Sequence, residues 1–406
     1  MEIPKKVEYI IEELGINGFE AFAVGGCVRD TILGRNPQDW DITTSASPMD
    51  VKRIFKRTID TGILHGTVTV MLDKEGFEVT TYRIDGEYED SRHPKEVTFT
   101  TNLEEDLRRR DFTINAMAYN PKTGIVDKFG GIEDLDDKII RCVGVAKERF
   151  TEDALRILRA VRFSAQLGFK IEEETRNAAK ELAPTLKKIS RERIQSELSK
   201  LLVSPHPDYV KELDNLSLME NIFEEKIIIN EHTLRMLLAV RDNKTLRFTA
   251  FLQEESVAGN ARNILKSLKF DNFTINQVGR LTKWLRSEIK PDKASVRHAV
   301  NQIGEDIFEL LLEAQKAFLE SAAKRDERRI AEICETGRLY KSIMEDGDCV
   351  SLKQLAVGGN DIIKAGLAKG QGIGELLLYL LDIVLDNPAE NEREKLLKRA
   401  EEYKNT

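Results

Sequence analysis

The chain has 406 residues, 41% of them hydrophobic and 33% charged, which is too long for one compact core and too apolar for a disordered polymer, so two to four packed units are expected. No run of about 18 apolar residues occurs, which excludes a membrane-spanning helix, and the first 13 residues are charged and amphipathic rather than signal-like. The net charge of −8 argues against indiscriminate nucleic-acid binding, yet residues 141–200 carry 14 Lys/Arg against 9 Asp/Glu, a basic stretch that suits a phosphate-facing surface as well as a solvated helical face.

The first ~140 residues mix strand and helix signals. Residues 22–26, Phe-Ala-Val-Gly-Gly, predict a strand entering a glycine turn, and residues 28–33 a short helix stopped at Gly34. Residues 39–43 predict a second strand, and residues 67–72 and 77–83 a hairpin around Asp73-Lys74-Glu75-Gly76. Residues 85–96 are almost all polar and predict a mobile loop, and Asp111 is placed to cap a helix over 112–118. After Cys142 the pattern becomes helical: Thr151 caps a helix to Leu167 that Gly168 stops, 191–202 forms another, 208–325 several more, and 376–385 and 392–403 close the chain. No 20–50-residue repeat is present. Cys27, Cys142, Cys334 and Cys349 show neither paired spacing nor histidine neighbours, so no zinc or disulfide framework is expected and a reducing cytoplasm fits. The fold class expected is a small α+β head followed by an elongated all-α extension.

Asp39-Trp40-Asp41 carries the first chemical signal. On a strand, residues two apart share a face, so the two carboxylates converge and need a cation; Mg²⁺ holding substrate phosphates suits such hard oxygen ligands, and two metals would serve an attacking hydroxyl and a leaving pyrophosphate. Two solvated aspartates on an edge strand show the same spacing. Upstream, Gly25-Gly26-Cys27-Val28-Arg29-Asp30 places a glycine pair between strand and helix, where backbone N–H groups can approach a phosphate and Arg29 can add donors, although a plain strand-to-helix turn reads the same way. Together the two segments resemble the catalytic core of DNA-polymerase-β-like nucleotidyltransferases. Glu78, on a later strand, is a candidate third carboxylate or a solvent-facing strand residue. Arg108-Arg109-Arg110 ahead of Asp111 can hold a triphosphate or form a surface charge run.

Glu152-Asp153-Ala154-Leu155-Arg156 is the most informative segment. At i, i+3 on one helix, Asp153 and Arg156 share a face, with Arg159 and Arg162 continuing the stripe, as a routine surface ion pair also would. A carboxylate accepting from an exocyclic amine beside a guanidinium donating to a ring nitrogen fits both cytosine and adenine. Uracil and guanine put a carbonyl oxygen against the carboxylate and are rejected, and mispaired buried polar groups discriminate by about 10⁴–10⁵-fold.

From Ala23 to Leu202 these motifs, together with Arg-Arg-Asp-Phe-Thr-x-Asn-Ala and Glu192-Arg193-Ile194-x-x-Glu197-Leu198, resemble the class II tRNA CCA-adding enzymes of bacteria. Residues 355–362 and 372–377 resemble that family's tail, with Gly358-Gly359 where Asn-Gly is usual. The resemblance implies a head (1–140), a base-reading neck (141–207), a body (208–325) and a tRNA-binding tail (326–406). It implies metals on Asp39 and Asp41, phosphate contacts from Gly26, Arg29 and Arg110, a base-reading pair in Asp153 and Arg156, and nucleotide contacts from Arg159 and Arg162. Arg92, in the 85–96 loop, matches a flexible element linked to the switch from C to A addition. The substrates implied are CTP, ATP and the 3′ end of the tRNA acceptor stem, with Mg²⁺ as cofactor, no membrane and no protein partner. Rival readings on the same fold are an A-adding enzyme, a poly(A) polymerase, or a non-catalytic RNA-binding protein on an inactive head. The five histidines offer no His-Asp doublet, so no phosphohydrolase activity is expected.

Overall fold

The computed structural model describes residues 1–86 and 97–404, and the chain divides into two compact units, Met1–Lys226 and Ile227–Thr406. In the first, α1 (Lys5–Ile16) buries Val7, Ile10, Ile11 and Leu14, the three-and-four spacing of an amphipathic helix, each contributing about 1.5–3 kcal/mol. Next come β1 (Ala21–Val24), buried throughout, and α2 (Gly26–Ile32). Gly25 joins them with φ +83°, a conformation that favours glycine, and a Cβ there would come within 3.2 Å of Arg110 Nη1. β2 (Ile42–Thr44) follows, then α3 (Pro48–Ile54) capped by a reciprocal Ser47–Asp50 box, β3 (Thr58–Gly62), β4 (Thr67–Leu72) and β5 (Glu75–Thr81). The β4–β5 turn is the two residues Asp73-Lys74, with φ +47° and +72°, the positive-φ pair whose twist matches the flanking strands.

β6 (Arg83–Asp85) pairs antiparallel with β7 (Val97–Phe99), Asp85 opposite Val97. The expected 85–96 loop thus starts on the last residue of β6, and its residues 87–96, Arg92 included, lie outside the described residues. α4 (Leu103–Arg108), β8 (Met117–Asn120) and β9 (Gly124–Asp127) complete a seven-stranded sheet in the order β3-β4-β5-β2-β1-β8-β9. β2 and β5 run parallel and its other pairs antiparallel. Phe22, Val24, Tyr82, Leu107, Ala116, Ala118 and Val143 form a core cluster beneath it.

The structure departs from three sequence expectations. Residues 112–118 do not form a helix: a 3₁₀ turn, Thr113–Asn115, leads directly into β8, because Met117 and Ala118 are wholly buried beside β1 and pairing there overrides the helical spacing. The second strand begins at Ile42, so Asp39 and Asp41 stand on the segment entering it. The helix expected from Thr151 to Leu167 is two.

After α5 (Gly131–Asp136) and the short β10 (Ile139–Ile140), α6 (Ala146–Glu152) ends at Asp153, whose backbone is extended (φ −141°, ψ 102°). α7 (Leu155–Leu167) starts afresh and ends at Gly168, φ +74°. A Cβ on Gly168 would lie 2.9 Å from His206 Nε2. β11 (Lys170–Ile171) pairs with β10, α8 (Glu173–Glu181) packs on α6, and α9 (Arg191–Leu202) lies along α7, with the bounds read from sequence.

The second unit is helical. The expected closing helices are Gly372–Asp386 and Arg393–Lys404, which bury Leu376, Leu380, Val384, Leu396 and Ala400 in one cluster. Buried Arg297 secures the first of these, donating to Leu385 O (2.6 Å) and Asp386 O (2.9 Å) and pairing with Asp348 (2.9 Å), which satisfies carbonyls the helix end leaves open. Among the described residues no helix is long and apolar enough to cross a membrane.

Candidate active site

The parallel register sets the carboxylates. Ile42 pairs with Val79 in parallel, so Asp41, just before β2, and Glu78, midway along β5, stand side by side. Gln38, Asp39, Trp40, Asp41, Thr69, Phe77 and Glu78 line a cavity of about 560 Å³. Burial and then the opposed effects of Arg110 and Asp39 leave the Asp41 carboxyl above its ordinary range; burial, Asp41 and Asp39 do the same for Glu78. Glu78 therefore belongs with the aspartate pair. Carboxylates accept but do not donate hydrogen bonds, and neighbouring ones repel, which favours a hard divalent cation between them. Among the described residues no three His, Cys, Asp or Glu side chains close around one point.

Beside the cavity the arginines are held by buried acids. Asp106 is fully buried; it accepts from Arg109 (2.7 and 3.0 Å), Arg110 (3.3 Å) and Thr43 Oγ1 (3.1 Å). Burial opposes its ionisation, but Arg110 and Arg109 win and hold its carboxyl below the usual range. Among the described residues Arg110 Nε is buried without a hydrogen-bond partner. Asp111 accepts from the Phe112 amide (2.8 Å), Asn115 Nδ2 (3.1 Å) and both Nε and Nη2 of Arg159 (2.8 and 2.5 Å). Asn115 Oδ1 in turn accepts from Arg29 Nη1 (2.6 Å), so a polar relay joins Arg29 of α2 to Arg159 of α7. Phe163 gathers the same cations: Arg29, Arg159 and Arg162 lie 5.1, 5.4 and 3.8 Å from its ring centre. Arg162 is buried, bonded to Glu197 (2.5 Å) and Gln166 (2.6 Å).

Asp153 and Arg156 are not brought together as a pair. Without a continuous helix they do not share a face. Arg156 donates to Glu152 (2.6 Å), Arg149 O (3.2 Å) and Arg109 O (3.0 Å), while Asp153 is gripped by Arg193 of α9 (2.7 and 3.2 Å) and accepts from the Leu155 amide (3.0 Å). Gly26 lies at the start of α2 beside Arg29 Nη2. Asp106, Asn115, Phe163 and Arg193 were not identified individually from sequence, and Asp111 only as a helix cap. The available signals were the Arg-Arg-Asp-Phe-Thr-x-Asn-Ala and Glu-Arg-Ile motifs, which contain all but Asp106 and Phe163.

Residues 21–141 match the family model "Poly A polymerase head domain", 168–227 "Probable RNA and SrmB- binding site of polymerase A", and 241–400 the tRNA nucleotidyltransferase domain 2. A CCA-adding enzyme of Lactiplantibacillus plantarum is 38% identical over 96% of this chain and 93% of its own length. One from Geobacillus kaustophilus is 37% identical over 95% and 94%. The crystal structure of the Bacillus stearothermophilus CCA-adding enzyme in complex with CTP superposes over 100% of both chains with a TM-score of 0.81 at 32% identity.

Proposed function

The chain belongs to the bacterial-type family of CCA-adding tRNA nucleotidyltransferases, and from that membership we infer that it adds C, C and A to the 3′ end of tRNA from CTP and ATP, releasing pyrophosphate. The observation that carries this reading to the residues is the cavity with Asp39, Asp41 and Glu78 on its wall. The family is divalent-metal-dependent; here Asp39 and Asp41 would hold Mg²⁺, with Glu78 beside them. A pair of such ions supplies charge stabilisation for the attacking 3′ hydroxyl and the leaving pyrophosphate.

Arg29, Arg110 and Arg159 neutralise the triphosphate, preorganised by Asn115, Asp106 and Asp111 so that little reordering accompanies binding. Gly25 and Gly26 leave the backbone bare beside them. Arg162 acts from behind, through Phe163. Asp153 accepts the amine of cytosine or adenine, and Arg156, on leaving Glu152, donates to the ring nitrogen. The division into head (1–140), neck (141–207), body (208–325) and tail (326–406) is part of this proposal, with tRNA held by the helical parts, as is a cytoplasmic location.

The test is nucleotide transfer by Asp39→Ala and Asp41→Ala. Either substitution abolishes incorporation while thermal unfolding and tRNA binding stay near wild type. Incorporation within tenfold of wild type in either variant would remove the metal assignment.

A further inference from the structure

The contacts of Asp153 specify more than a base-reading carboxylate. A carboxylate has two oxygens and about four lone-pair positions. Oδ1 accepts from the Leu155 amide (3.0 Å) and from Arg193 Nη1 (3.2 Å), so both of its positions are filled. Among the described residues Oδ2 accepts only from Arg193 Nη2 (2.7 Å), which leaves one position open. The two-pronged grip also fixes the carboxylate plane, which rotates broadly when unrestrained.

Arg193 is well supported for this role. It sits on α9, whose Ile194, Leu198, Leu201 and Leu202 are buried. One turn further on, Glu197 takes Arg162 of α7. Two ion pairs of opposite sense thus cross from α9 to the segment that reads the nucleotide, an acid held by α9's base and a base held by α9's acid.

Resting on the base-reading role proposed for Asp153, we infer that Arg193 is a positioning residue for nucleotide selection: it locks Asp153 so that Oδ2 alone faces the incoming base with a single acceptor. One acceptor matches one exocyclic amine, the feature cytosine and adenine share. A carbonyl oxygen at the same place meets a lone pair and is refused. A freely rotating Asp153 could instead move aside and so tolerate uracil and guanine. Arg193 does not touch the nucleotide; its effect passes entirely through Asp153.

The experiment measures kcat and KM for CTP, ATP, UTP and GTP on tRNA ending at the discriminator base and on tRNA ending in CC, with the full chain carrying Arg193→Met, Arg193→Lys or Asp153→Asn. Arg193→Met lowers the CTP-over-UTP and ATP-over-GTP preferences by about tenfold or more, the scale of a lost charge-assisted hydrogen bond. Arg193→Lys keeps the charge but offers one prong, so its ratios fall between Met and wild type. A merely structural Arg193 slows all four nucleotides alike and leaves the ratios unchanged, which overturns the proposal. If Arg193→Met does not fold, Arg193→Lys decides: wild-type ratios overturn it, intermediate ratios support it. Unchanged ratios in the Arg193 variants with lost selectivity in Asp153→Asn refute Arg193 alone. Unchanged ratios in Asp153→Asn refute the base-reading role beneath it.

Discussion

Replacing Glu197 by glutamine perturbs one buried charge and little else. Its carboxylate and the Arg162 guanidinium are 6% and 8% exposed and 2.5 Å apart. Burial lowers the basicity of Arg162 and Glu197 opposes that loss, while the nearby Arg159 charge adds to it. With Glu197 neutral, Arg162 keeps Gln166 and the face of Phe163 but no full counter-charge. Removing one partner of a buried ion pair costs about 3–5 kcal/mol; because glutamine still accepts a hydrogen bond, the lower end, about 3 kcal/mol, is expected. For a unit of roughly 150–250 residues each kcal/mol moves the melting temperature by about 2–4 °C, so the unit melts about 6–12 °C lower. Calorimetry of wild type, Glu197→Gln and the double variant Arg162→Met/Glu197→Leu checks this. The double variant recovers most of the loss, since it leaves no buried charge unpaired. A shift below about 2 °C, or a double variant no better than the single one, would refute the reasoning.

Acid stability follows from Asp111 and Asp106. Burial disfavours both charges, but Arg159 and Asn115 for the first, and Arg110 and Arg109 for the second, hold both carboxyls below the ordinary value near 4. A depressed carboxyl stabilises the fold above its unfolded value and loses that contribution as pH falls through the folded one, so the melting temperature drops steeply below about pH 4. Asp111→Asn lowers it at pH 7 and flattens that slope; an unchanged slope speaks against the pairing. Replacing residues 88–95 with a short Gly/Ser linker spares C addition and suppresses the terminal A, which end-sequencing of products reads; complete CCA at normal rate would mark the segment as idle. Binding of an acceptor-stem minihelix weakens linearly in log salt, by about 0.7–0.9 per phosphate contact, and exceeds that of an unstructured oligonucleotide of equal length. Equal affinity for the two would count against shape recognition.

The sequence made the architecture readable where local signals agree with tertiary demands. The Gly25-Gly26 turn, the β4–β5 hairpin and the α9 bounds follow from glycine placement, alternation and helical spacing. It misled where distant contacts decide. Residues 112–118 carry helical spacing, yet the position beside β1 requires a strand. Nothing local marks a break at Asp153, since neither glycine nor proline stands there; the break coincides with the side chain's bonds to the Leu155 amide and to Arg193, 40 residues away. Glu78 reads in the sequence as either a third carboxylate or a solvent-facing strand residue, and the parallel β2–β5 register is what sets it beside Asp41. Asp106 lay unnoticed in an acidic run, because its burial under Arg109 and Arg110 depends on how α4 docks.

The central claim is tested most directly by incubating the protein with CTP, ATP and Mg²⁺ and a tRNA that ends at its discriminator base, then sequencing individual product ends. The account predicts C, C and A in that order, then arrest, with nothing added when UTP and GTP are the only nucleotides supplied. Products that end after A alone, or run on into an adenosine tract, would contradict it.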